Sequence, residues 1–329
     1  MTTPMAASDA QLRRLAPDHR LRRLELAITR RLDGLLHGEY LGLVPGLGSE
    51  VAGCREYRPG EDEVRRMDWA VTARTATPHV RETHADRDLT TWALVDATAS
   101  MDFGTAHLEK RELAVAALAA VGFLTARAGN SLGVHVLRPD RVWRVPAHSG
   151  RAHLWGVLRT LLTLPRPAPG GAAGPSLATA IDAVGRAAVR RGFAVVISDF
   201  LDGLPDSPDG IPEWEKPLRR LATRHQVLAI EVSDPREEEL PDIGIVTLID
   251  PESGRRRDVS TADRRVRARF AEAAAAQRAA VAASLRRAGA VRLALRTDRD
   301  WIADIVRHVH VQRRLAAAAP PLVTGGART

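Results

Sequence analysis

Asp96, Thr98 and Ser100 set one carboxylate and two hydroxyls at alternate positions in the segment Asp96-Ala-Thr-Ala-Ser100. The run Thr91–Val95 before them is apolar and strand-like, and a long helical pattern follows. The three oxygens therefore fall in the loop leaving the C-terminal end of a strand, where open α/β sheets bind their ligands. Oxygen-only donors suit a hard cation, Mg2+ (or Mn2+). Two more oxygens are candidates for the same ion. Asp199 follows the apolar strand pattern 193–198, and Ser176 opens the helical pattern 176–190 behind Gly174-Pro175. A parallel sheet brings Asp96 and Asp199 to one edge, and Ser176 joins them if its helix N-terminus points there. Mg2+ takes six oxygens and keeps some water, so a position stays open for a partner's carboxylate. Each residue also has a plainer role, since Asp and Ser after strands serve as helix N-caps, Ser176 above all. Asp102 is a nearby competing acid whose plainer reading is a solvated loop residue.

The elements that position these residues show as an alternation of strand and helix signals from residue 89 onward. Strands are expected at 91–96, 131–137, 141–147, 193–198, 226–232 and 291–296. Helices are expected at 108–128, 151–163, 176–190, 213–224, 262–288 and 300–315. Arg138-Pro-Asp140 reads as the turn of a hairpin between the second and third strands. Phe193–Ile197 is apolar throughout, as a strand covered on both faces requires. The implied fold is α/β: a Rossmann-like, mainly parallel sheet with helices on both faces, plus a smaller N-terminal helical extension. In the extension, Leu21, Leu24, Ala27, Ile28, Leu32, Leu35 and Leu36 recur at helical spacing and need a partner surface. Residues 42–60 read as glycine-rich turns and 78–83 as a strand. The expected division is an extension over 1–85, a sheet domain over 86–315 and a loose tail over 316–329, with residues 1–10 disordered.

Composition narrows the functional classes. The 329 residues are 45% apolar and 27% charged, as in a globular chain. The apolar run Leu113–Ala126 is too short for a bilayer span of about 20 residues, and no basic stretch followed by an apolar core opens the sequence. A soluble cytoplasmic protein is the expectation. One cysteine, Cys54, excludes an intramolecular disulfide and a cysteine zinc cluster. The net charge of +8 rests on arginine, with lysine only at Lys110 and Lys216. The basic runs lack interleaved aromatics, which argues against direct nucleic-acid binding. Neither lysine stands in a Walker A loop, and no G-x-S-x-G elbow or H-E-x-x-H pair is present. His308 and His310 are two apart, so they point to different helix faces. No enzymatic activity is expected.

The oxygen pattern resembles the metal-ion-dependent adhesion site of von Willebrand factor type A (vWA) domains, D-x-S-x-S followed by a Thr and an Asp. Thr98 and Ser176 depart from that pattern and keep the hydroxyl. A second resemblance is more specific. Arg55-Glu-Tyr57-Arg-Pro59-Gly60-Glu-Asp62-Glu-Val-Arg65-Arg-Met-Asp68-Trp69, with Arg74 following, is similar to the signature of the domain-of-unknown-function 58 family. Ser198-Asp199-Phe200, Asp234-Pro235-Arg236-Glu237 and Leu240-Pro241-Asp242 add to it. The resemblance covers roughly residues 45 to 315. It implies a vWA-like domain and a MoxR-type AAA+ ATPase as partner. Within the signature, Asp62 can pair with Arg65, and Asp68 with Arg74. Trp69 is expected to anchor the extension in the core; the alternative is that Arg55, Tyr57, Asp62, Arg65, Asp68 and Arg74 form a surface for the partner.

The sequence thus points to a divalent-cation-dependent protein-protein interaction module, with Asp96, Thr98, Ser100, Ser176 and Asp199 as metal ligands. The alternatives are a metal-independent scaffold of the same fold and a basic nucleic-acid-binding protein.

Overall fold

Phe193–Ser198 is buried along its whole length, which requires apolar layers on both faces of the sheet that holds it. The computed structural model describes residues 22, 24, 26, 28, 30, 31, 51–57, 67–75, 77–83, 90–106, 108–126, 130–167, 174–205, 207, 210–249 and 254–318. In chain order the elements are β1 (Val51–Glu56), α1 (Trp69–Thr75), β2 (His79–Thr83), β3 (Thr90–Asp96), α2 (Lys110–Ala126), β4 (Ser131–Leu137), β5 (Val142–Ser149), α3 (Arg151–Thr163), α4 (Leu177–Ala187), β6 (Phe193–Ser198), α5 (Glu215–Ala222), β7 (Gln226–Ser233), α6 (Pro235–Glu238), β8 (Ile245–Ile249), β9 (Arg256–Ser260), α7 (Arg264–Arg287), β10 (Val291–Arg296) and α8 (Trp301–Ala318).

Six strands form one sheet in the order β10-β7-β6-β3-β4-β5. Five are parallel, and β5 returns antiparallel on β4 across the Arg138–Arg141 turn. The chain runs outward from β3 to β4 and β5, then comes back to the other side of β3 with β6, β7 and β10. The order therefore reverses between β3 and β6, and that reversal opens a crevice at their C-terminal ends.

Period-two alternation sorts the strand residues between two cores. Ala93, Val95, Val195 and Ile197 face one cluster with residues of α2, α3 and α8; Trp92, Leu94, Ala194 and Val196 face the other with α4, α5 and α7. Ile28 and Leu24 pack into the first cluster, so the apolar stripe of the N-terminal helix finds its partner surface there. Arg31 closes the contact with two parallel bonds to Asp300, at 2.9 and 2.7 Å.

Three expectations are corrected. Part of the segment read as turns is strand: Val51–Glu56 pairs with β2, through a register shift between Val51 and Cys54. Trp69 does not anchor a core; it is 67% exposed, while Asp68 beside it is buried. The Asp68 carboxylate accepts the Val71 N–H at 3.1 Å, and this cap sets the helical phase that turns Trp69 outward. The last helix ends later than expected, at Ala318 rather than at 315. The β8–β9 hairpin is a further element that alternation did not reveal. Among the described residues, no helix is long and apolar enough to cross a membrane.

Candidate metal centre

Asp96 ends β3 and sits beside Ser198 at the end of β6, because Val95 pairs with Ile197. Its Oδ1 accepts from the Thr98 N–H at 3.0 Å and the Thr98 hydroxyl at 2.7 Å. Its Oδ2 accepts from the Ser198 hydroxyl at 2.6 Å. Thr98 Oγ1 lies 3.2 Å from Ser100 Oγ, and the Ser100 hydroxyl bonds Asp199. Asp96, Thr98, Ser100 and Asp199 are thus one hydrogen-bonded group in the β3–β6 crevice. Burial first, and then the neighbouring Asp199 charge, push the Asp96 carboxyl up to about 6.

The loop after β6 is held in shape by an unusual backbone. Phe200 is fully buried at φ +58, and its ring meets Trp214 edge-to-face at 5.3 Å. A left-handed residue costs about 1–2 kcal/mol outside glycine. Here the packing fixes it, and the turn lets Ser198 Oγ accept the Phe200 N–H at 3.0 Å and Asp199 Oδ1 accept the Leu201 N–H at 3.1 Å.

Sequence reasoning missed Lys110. It opens α2, is wholly buried, and donates from Nζ to Asp199 Oδ2 at 2.8 Å and to Glu237 Oε1 at 2.5 Å. Arg278 continues the network to Glu237 at 3.0 Å and Glu231 at 3.1 Å, and Arg292 bonds Glu231 at 2.5 Å. Burial would raise the Asp199 carboxyl, but the Lys110 charge and hydrogen bond hold it below the usual range. Burial would likewise lower Lys110, and Asp199 and Glu237 hold it above its usual value. Asp199 therefore carries an internal counter-charge. Asp96 does not: among the described residues, no basic side chain lies within ion-pair distance of it.

Ser176 takes its plainer role. Its Oγ caps α4 by accepting the Thr179 N–H at 3.2 Å and lies 3.1 Å from Thr179 Oγ1. Asp202, also missed, accepts the Leu177 N–H at 2.5 Å and ties that helix start to the β6 loop. Asp102 is no free competitor for a cation, since Arg111 pairs with it at 3.0 Å. Of the family signature, Asp62 and Arg65 lie outside the described residues. Arg55 lies in β1 opposite Val80, the Tyr57 N–H donates to the Pro78 carbonyl at 2.8 Å, and Arg74 is exposed in the last turn of α1.

The donor set suits a hard cation in chemistry and in charge. Asp96 is a buried, unneutralised carboxylate flanked by the Thr98 and Ser100 hydroxyls, and oxygen ligands of this kind match Mg2+ or Mn2+. Among the described residues, no cluster of three or more His, Cys, Asp or Glu could hold a metal, so a carboxylate-rich or zinc-type cage is absent there. With Asp199 already paired, Asp96 would supply the negative charge to such a cation.

Six strands with a reversal between β3 and β6, helices on both faces and an oxygen-lined crevice define an α/β protein of Rossmann-like type. The sequence matches the family described as "Protein of unknown function DUF58" over residues 53–280, and the chain belongs to that family. It is 56% identical over 298 residues to the uncharacterized protein Mb1516 of Mycobacterium bovis, covering 91% of this chain and 90% of that one. The uncharacterized protein Rv1480 of Mycobacterium tuberculosis matches with the same figures. Similar solved structures include the conserved hypothetical protein BatB from Bacteroides thetaiotaomicron, with TM-score 0.41, 14% identity, and coverage of 70% of this chain and 100% of that one. The SpRpn10 VWA domain follows with TM-score 0.36, 14% identity, and coverage of 66% and 93%.

Proposed function

We propose that this chain is a non-enzymatic, cytoplasmic protein-interaction module whose contact rim is the β3–β6 crevice, and that Mg2+ or Mn2+ at Asp96 bridges it to a partner's carboxylate. The observation that carries this reading is Asp96 itself: buried, raised to about 6, and without a basic partner among the described residues. Thr98 and Ser100 stand beside it to contribute neutral oxygens, with Asp199 and Ser176 as outer members of the set. The cation would supply charge complementarity at the rim. The partner to test, from the family resemblance, is a MoxR-type AAA+ ATPase.

The test is a pull-down of the purified ATPase with the full chain in Mg2+, in EDTA, and with Asp96→Ala, each variant checked for folding by circular dichroism. Retention should fall in EDTA and with Asp96→Ala. Equal retention in all three rejects the reading. A metal held only by the folded state also raises stability, by about 2.7 kcal/mol at 100 times its Kd, so a thermal shift in Mg2+ or Mn2+ is a second readout.

One observation favours the metal-independent scaffold as the second reading. Lys110 gives Asp199 a fixed positive charge from inside the protein, and three donors already satisfy Asp96. Contacts would then come from the Arg55–Arg74 segment, with Trp69 exposed within it, and from the basic helices. This scaffold predicts an unchanged melting temperature in saturating Mg2+ and full retention in EDTA. A nucleic-acid-binding protein would instead retard DNA or RNA with a steep loss of affinity in salt.

A further inference from the structure

A cavity of about 540 Å3 lies between α4 and the β4–β5 hairpin. Thr179 and Arg186 line it from α4, and His135, Asp140, Arg141 and Arg144 from the hairpin. Its volume is within the range of small-molecule sites. Pairing of β4 with β5 sets His135 opposite Arg144, so the two share one face. The Arg144 guanidinium stands over the Trp92 ring, 5.4 Å from its centroid, which restrains the head group. Among the described residues, neither Arg144 nor Arg186 makes an ion pair. Arg141 pairs, among the described residues, with Asp140 alone, at 3.6 Å, and Arg138 holds that same carboxylate at 3.1 Å.

His135 is the second observation. It is 2% exposed, and its Nδ1 has no hydrogen-bond partner. Buried polar atoms without partners are rare and call for a missing group. Burial first, and then the Arg144 and Arg186 charges, hold the ring down to about 4, so both guanidiniums bear on it. An arginine-rich surface is ordinarily just solvated. Here the cationic groups converge on one concavity, with carboxylate compensation only at its Arg141 edge.

We propose that this cavity binds a small phosphate-type oxyanion, gripped by Arg141, Arg144 and Arg186 with the Thr179 hydroxyl as a further donor. Guanidinium forks match phosphate oxygens in pairs. A multiply charged phosphate group balances several guanidiniums at once, which a single carboxylate does not.

The test is isothermal titration of the full chain at low salt with inorganic pyrophosphate. One saturable site is expected. Arg186→Gln, on the exposed side of α4, should weaken it by about 10-fold or more, the effect of losing one charge-assisted hydrogen bond. Adding Arg144→Gln should abolish measurable binding. Arg264→Gln, an exposed arginine at the start of α7, should leave the affinity unchanged, as should Asp96→Ala, which separates this site from the proposed contact rim. Succinate should bind at least about 10-fold more weakly. Absence of a saturable site, undiminished binding in a folded Arg144→Gln/Arg186→Gln protein, loss of affinity in Arg264→Gln, or equal binding of succinate would each overturn the proposal.

Discussion

Lys110 Nζ stands 2.8 Å from Asp199 Oδ2, with both side chains shielded from solvent, so the first residue of α2 is fastened to the loop after β6 by a buried ion pair. Through Glu237 and Arg278 the same ammonium reaches α6 and α7. The floor of the β3–β6 crevice is therefore braced by charge as well as by apolar packing. Buried pairs of this kind do not by themselves make a fold more stable than an apolar core would, but removing one partner strands the other.

Lys110→Met should accordingly cost about 3–5 kcal/mol, because the Asp199 carboxylate loses the ammonium paired with it while remaining buried. Lys110→Arg should not restore the wild-type value, since a planar guanidinium is bulkier than the ammonium and a packed site resists added volume. Urea denaturation at pH 7 measures both. A loss below about 1 kcal/mol for Lys110→Met would mean that water reaches the pair.

Asp234 supplies the pH prediction. Burial would raise its carboxyl, but hydrogen bonds from the Thr105 and Thr297 hydroxyls, each 2.6 Å, and from the Thr105 and Arg236 N–H groups, each 2.9 Å, hold it below the ordinary 3.8. A depressed folded-state value contributes stability that is complete above the unfolded pKa and is lost as pH falls through 3.8 toward the lower folded value. Asp234→Asn should lower stability at pH 7 and flatten the acid limb below about pH 4. Unfolding free energies from pH 2.5 to 7 compare the two proteins. Parallel curves would show that Asp234 titrates alike in the folded and unfolded chains.

How far the sequence reveals this arrangement depends on what each residue needs from its neighbours. Phe193–Ser198 reads as a buried central strand because an uninterrupted apolar run has few other uses, and Asp96 and Asp199 read as crevice residues because they end such runs. Ser176 is ambiguous in sequence, since a helix cap and a metal ligand both need a hydroxyl at a helix start. Lys110 resembles an ordinary solvated lysine in a first helical turn. Its signal was compositional: it is one of two lysines among 48 basic residues, so a lysine there is a choice against the default arginine. The β9 strand, Arg256-Arg-Asp-Val-Ser260, has no apolar alternation; the ladder with Ile245–Ile249 makes it a strand, and that pairing is invisible to local pattern. Ile245 and Ile249 stay 77% and 50% exposed there, so burial gives no signal either.

Trp69 tests whether the signature segment works at the surface. A side chain 67% exposed contributes little to the fold, so Trp69→Ala should change stability by no more than about 0.5 kcal/mol. Exposed tryptophans act as interface anchors, and truncating one at a contact centre costs about 2 kcal/mol or more, roughly 30-fold in affinity. If contacts run through the signature segment, as in the metal-independent scaffold, Trp69→Ala should release the proposed AAA+ ATPase partner in the pull-down while its unfolding curve overlays wild type. Normal retention would exclude Trp69 from the interface, and an early unfolding transition would return it to a structural role.

Gly133 tests the packing beneath the oxyanion cavity. It sits on β4 beside Trp92 of β3, its partner in the ladder, and a Cβ added there would overlap the indole ring. No flexible side-chain end is available to yield, because the obstacle is an aromatic ring packed into the second core. Gly133→Ala should therefore destabilise by about 1–3 kcal/mol through overpacking. Displacing the ring also shifts the platform under Arg144, so pyrophosphate affinity should fall even at temperatures where the variant is fully folded. Urea denaturation and near-ultraviolet circular dichroism report the first effect, and titration calorimetry the second. Unchanged affinity in a destabilised but folded variant would show that Trp92 does not position Arg144 for binding.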